Sequence, residues 1–66
     1  MNFKLGQTVR VTNERSAFHH DVGEVVHLKM VGQSVVVEVV FPDFPLAVGF
    51  GTDDIEPIDE TEQQTA

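Results

Sequence analysis

The residues best suited to chemistry in this chain are His19-His20-Asp21, with His27 further along. Neutral imidazole and carboxylate are ligands for zinc and other transition metals. Imidazole also exchanges a proton near neutral pH. A closed zinc site needs about four ligands in a tetrahedral array. Adjacent side chains on an extended chain point to opposite sides, so His19 and His20 do not readily share one ion. No second cluster of His, Cys or acid supplies the remaining ligands. The sequence therefore predicts no metal and no cofactor. The pair reads as loop histidines able to tune a contact with pH.

Catalytic residues are no easier to assemble. Paired carboxylates act as acid and base only when held across a cleft, and six of the eleven acids fall within residues 53–66. Asp53 and Asp54 read as turn and cap residues, a role their short side chains favour. There is no cysteine, hence no thiolate nucleophile and no disulfide. Ser16 and Ser34 stand in turn segments with no motif around them, and no glycine-rich phosphate loop is present. The sequence predicts no catalytic residue and no enzyme confined to one such chain.

Charge separates a body from an end. Residues 1–52 carry five acids (Glu14, Asp21, Glu24, Glu38, Asp43) and four bases (Lys4, Arg10, Arg15, Lys29). Residues 53–66 carry six acids and no base, which accounts for the formal charge of −7. Binding to phosphates needs clustered positive charge. Four scattered bases beside an acidic end argue against nucleic acid as a partner. An acidic mimic that occupies a basic protein is compatible with the end, as is a merely solubilising role.

What remains is contact chemistry. The chain has no Trp or Tyr, and its five Phe are Phe3, Phe18, Phe41, Phe44 and Phe50. With Phe41 and Phe50 assigned to the core, a three-walled aromatic cage is hard to build from the rest. Phe18, in a long loop beside His19 and His20, and Phe44, between two prolines, are large apolar groups in segments expected to be exposed. Val36 and Val40 add apolar area on the outward side of a strand. Exposed aromatics with a polar rim mark protein interfaces. The same rings folded back would plug the ends of a small barrel, whose thin core needs every large side chain.

The elements that must position these residues are strands. Branched residues are abundant and Ala is scarce, which suits a pleated sheet and disfavours helix. Gln7–Asn13 alternates, with Val9 and Val11 on one side. Asn13–Asp21 has no period and reads as a long loop. A second strand runs from Val22 to about Met30 with ambiguous parity, which implies a bulge, most simply at Gly23. Gly32-Gln33-Ser34 is a turn. Ser34–Phe41 is the strongest strand, with Val35, Val37, Val39 and Phe41 on one side. Pro42-Asp43-Phe44-Pro45 breaks the ladder. Leu46, Val48 and Phe50 alternate again. Thr52-Asp53-Asp54 predicts one helical or 3₁₀ turn before a short last strand anchored by Ile55 and Ile58.

Five short strands in so small a chain predict an all-β fold, a small five-stranded barrel over residues 1–58. The remainder, 59–66, is predicted to be a disordered acidic tail. The pattern Gly6-x-x-Val9-Arg10-Val11, Gly23-Glu24-Val25, Val35-Val36-Val37-Glu38-Val39-x-Phe41 and Asp54-Ile55-Glu56-Pro57-Ile58 resembles an SH3-like barrel across roughly residues 4–58. It is most similar to the group of KOW-type domains, the E-type accessory protein of photosystem I and the variable chain of ferredoxin–thioredoxin reductase. That resemblance implies an accessory module docked on a larger assembly, or, through KOW domains, an association with nucleic acid. The plasmid-borne dihydrofolate reductase, also an SH3-like barrel, implies a third possibility: a homo-oligomer with a composite pore site. Its glutamine-containing motif is not matched within residues 31–40.

The expectation is thus a non-enzymatic protein-interaction module whose contacts are Phe18, His19, His20, Val36, Val40 and Phe44. No apolar run is longer than the three residues of Val35–Val37, far short of the roughly 20 residues of a membrane span. Residues 1–5 lack a secretory apolar stretch. The sequence therefore predicts a cytoplasmic protein with no membrane contact.

Overall fold

A computed structural model describes residues 3–58. The chain is all-β, with strands β1 (Thr8–Val11), β2 (Val22–Val31), β3 (Ser34–Phe41), β4 (Phe44–Gly51) and β5 (Ile55–Pro57). All pairings are antiparallel, and the single sheet has the order β4-β3-β2-β1-β5. No helix forms among the described residues, so none is long and apolar enough to cross a membrane. The expected disordered end at 59–66 lies outside the described residues.

Alternation along the strands places one side of the sheet inward. Val9 and Val11 of β1, Val25 of β2, and Val37 and Val39 of β3 are fully buried. Phe41, Phe50, Ile55 and Phe3 complete one continuous cluster. Phe50 and Ile55 come from the two outermost strands, so a shared core requires the sheet to curl into a barrel-like shell. The barrel is not closed by hydrogen bonds. β5 is three residues long and, among the described residues, pairs only with β1, which leaves β4 and β5 as the edges of the described sheet. Phe3 comes from the lead-in segment, which carries no periodic signal. Gly6 turns that segment back with a φ of 84°, a conformation glycine adopts without penalty. Its N–H donates to the Val25 carbonyl at 2.7 Å.

The ambiguous parity of the second strand has a definite origin. The register with β3 shifts between Val25 and His27. Val25 and Leu28 therefore both pack on the core, while Val26 remains 42% exposed. Val26 takes up the extra residue of a bulge. The bulge is thus at Val26, not at Gly23. Gly23 has a different task, because β2 passes so close to β3 there that a Cβ would overlap the Val40 carbonyl and the Val39 side chain.

Two further expectations change. The segment Pro42–Pro45 is not a loop. Pro42-Asp43 alone makes the turn, and Phe44 pairs with Phe41 as the first residue of β4. Among the described residues β4 is an edge strand with one side free of pairing, and Pro45 is tolerated for that reason. Thr52–Asp54 forms a plain turn, closed by the Asp54 N–H on the Gly51 carbonyl at 3.0 Å.

Candidate functional site

The loop between β1 and β2 is irregular but tightly bonded. Asn13 Oδ1 accepts from the Arg15 N–H at 2.9 Å, and Ser16 Oγ accepts from the Phe18 N–H at 3.0 Å. Short polar side chains close local turns in this way. The Asp21 N–H returns to the Phe18 carbonyl at 2.8 Å, and the Asp21 carbonyl receives the Val11 N–H at 2.9 Å. Asn13 Nδ2 also donates to Asp54 Oδ1 at 3.1 Å, and the Thr12 N–H reaches the Asp54 carbonyl at 2.9 Å. These bonds fasten both ends of the loop to the sheet and fix where Phe18 points.

Phe18 lies over the end of the core. Its ring stacks on Phe41, with centroids 4.8 Å apart and planes within 10°. Phe44 meets it edge-on at 5.2 Å and 77°, and Phe50 does so at 6.3 Å and 86°. Offset-stacked and edge-to-face pairs are the favoured aromatic geometries. Phe18 is consequently half-buried, whereas Phe44 keeps 40% of its surface exposed. Of the two readings the sequence allowed for Phe18, contact or plug, packing against the core is what its ring does. Phe44 forms the open wall.

Beside these rings is a cavity of about 290 Å³, walled by Phe18, Phe41, Pro42 and Phe44 with Asp21 and Asp43 in its lining. A second depression of about 340 Å³ adjoins it, sharing Val22, Phe41 and Pro42 and adding Glu24 and Val40. The two adjoining depressions make up a groove along the β3–β4 turn and the start of β2. Among the described residues, every ionisable residue in its lining is an acid. Among the described residues, none of Asp21, Asp43 and Glu24 takes part in an ion pair.

Phe18 and Phe44 therefore come together at the first cavity, and Val40 lines the depression that adjoins it. Val36 does not join them. It is half-buried on the outward side of β3, with its Cγ1 3.0 Å from where a Cβ on Gly49 would lie. On that same side Glu38 pairs with His27 at 3.5 Å and with Lys29 at 3.3 Å. His19 and His20 line neither depression. The premise that they point apart also changes, because His20 adopts φ 78° and the two rings stack at 3.7 Å. A left-handed residue reverses the alternation that an extended chain would impose. No His, Cys, Asp or Glu among the described residues joins them in a metal-ligand group of three.

Asp43, Glu24, Val22 and Pro42 belong to the groove but carry no signal of it in the sequence. The groove exists because the loop at 13–21 is folded against a turn far along the chain, and no local pattern encodes that contact. Compared with known proteins, the chain matches no family model and no curated sequence.

Proposed function

We propose that this chain is a small non-enzymatic module that docks on a larger protein through the groove flanked by Phe18, Val40 and Phe44. The observation that carries this reading is Phe44, an aromatic ring 40% exposed at the mouth of a cavity and backed by Phe18 and Phe41. Large apolar groups in a concave patch with a polar rim are the usual anchors of an interface. The resemblance to accessory subunits points the same way. The acidic lining weighs against a nucleic-acid backbone as the occupant. A photo-crosslinking phenylalanine analogue at position 44 tests the reading in cells. A discrete adduct is expected from position 44 and not from position 33, in the β2–β3 turn. Equal labelling from both positions would remove the groove as the docking site.

A second reading, self-association, is favoured by a different feature. Among the described residues β4 is an edge guarded by Pro45 but by no charge from Phe44 to Gly51, and its Leu46 is 66% exposed. Native edges are ordinarily guarded by charge, so an uncharged one is a template for strand addition by a second copy. Sedimentation velocity across a hundredfold range of concentration, roughly that needed to span typical dimer affinities, distinguishes the two. A monomer throughout leaves the groove alone.

A further inference from the structure

We infer that the groove receives a lysine side chain of the docking partner, an alkylammonium group held against Phe18 and Phe44 and drawn in by Asp21 and Asp43. This inference rests on the docking reading above and names the chemistry of the anchor. Three observations carry it. The first is charge complementarity. Among the described residues, the ionisable groups lining the cavity beside the rings are the carboxylates of Asp21 and Asp43, Glu24 lines the adjoining depression, and none of the three is neutralised by an ion pair. Like charges gathered on one surface favour the approach of a cation.

The second is the aromatic corner. Phe18 and Phe44 both line the cavity with their planes 77° apart, and Phe18 turns one face to Phe41. Ring faces carry negative electrostatic potential and attract a cation within about 6 Å. A corner suits a compact ammonium, whereas the flat guanidinium of arginine favours a single stacking surface. The third is size and polarity. The cavity beside the rings is about 290 Å³, at the bottom of the range of roughly 300–1,000 Å³ that small-molecule sites occupy. It fits one long side chain better than a cofactor. Lysine lays its four-carbon stem along apolar surface and keeps its charged tip at a polar edge, which matches Phe41 and Pro42 as walls with Asp21 and Asp43 alongside.

The test is an amide-resolved NMR titration of the intact chain with the tripeptide acetyl-Gly-Lys-Gly-amide. Its norleucine and arginine counterparts serve as controls. Saturable shifts are expected at Phe18, Asp21, Asp43 and Phe44 with the lysine peptide, and about tenfold weaker binding with norleucine, in keeping with the loss of a cation–π contact and its charge partners. The double variant D21N/D43N should keep the unliganded spectrum outside those positions and weaken the lysine peptide by a similar factor. Equal binding of norleucine and lysine would overturn recognition of the cation while leaving an apolar docking groove. Tighter binding of arginine would overturn the choice of ammonium. Absence of saturable shifts with all three peptides would overturn the inference outright. The crosslinking result at position 44 judges the docking reading separately, so the two failures are distinguishable.

Discussion

A Cβ placed on Gly23 would overlap the carbonyl oxygen of Val40. It would also meet Val39 Cγ1 at 2.6 Å and Phe41 Cδ1 at 2.9 Å. The obstacle includes main chain, so a rotamer change cannot relieve it. Gly23 pairs with the fully buried Val9, and the missing side chain is what lets β2 cross over the core between β1 and β3. Gly23→Ala should therefore destabilise the fold by about 2–3 kcal/mol, the upper part of the range for overpacking a core. Urea denaturation checks this. A loss below about 0.5 kcal/mol, the scatter of neutral substitutions, would show that the strands part easily at this point.

Asp54 gathers distant parts of the chain. Its carboxylate accepts from Asn13 Nδ2 at 3.1 Å and from the Gly51 N–H at 3.3 Å. Its carbonyl receives the N–H groups of Thr12 and Asn13. Asp54→Ala removes only the side-chain bonds and should cost about 1 kcal/mol, with Asn13→Ala costing a similar amount. Because the two share one bond, the double variant should cost less than the sum. Strict additivity in a double-mutant cycle would mean that the bond contributes nothing to stability.

Phe18 and Phe44 should part company on truncation. Phe18 stacks on Phe41 and packs against the buried cluster. Phe18→Ala should lose about 2–3 kcal/mol, somewhat less than a fully buried phenylalanine. Phe44 is already 40% exposed. Its truncation should lose about 1 kcal/mol and keep the fold. Thermal melts of the two variants measure the difference. An equal or larger loss at Phe44 would make it a structural plug and withdraw its role as an open wall.

His20 holds a backbone conformation that glycine adopts freely, with φ at 78°. His20→Gly should raise stability by about 0.5–1 kcal/mol, since relief of the left-handed penalty outweighs the added freedom of the unfolded chain. The urea midpoint reads this directly. A lower midpoint would show that the stack of His20 on His19 contributes more than the backbone strain costs.

Much of the fold was legible along the chain. Ser34–Phe41 is a run of branched residues between two turns, and β3 occupies that same span. The loop at 13–21, the turn after Val31 and the short strand at Ile55 were likewise marked by composition and by turn residues. The first strand proved shorter than the alternating segment, Thr8–Val11, because pairing ends where Thr12 and Asn13 turn to bond Asp54. The bulge was legible as a conflict of parity but not as a position, because its place depends on which hydrogen bonds β3 makes with β2.

The candidate site divides in the same way. Residue type alone singled out Phe18, Val40 and Phe44 as contacts, since large apolar groups in turns and on an outward strand side need covering. By itself the sequence determined the strands, the turns between them and the separation of a nearly neutral body from an acidic end, all of which rest on near-neighbour spacing and composition. Only the tertiary structure decided that Phe18 packs on Phe41, that Val36 lies apart from Val40's groove, and that Asp21, Glu24 and Asp43 share its lining. Those relationships depend on how tightly the sheet curls and on where the loop at 13–21 is pinned. They are set by contacts between residues far apart in the chain, which no local pattern records.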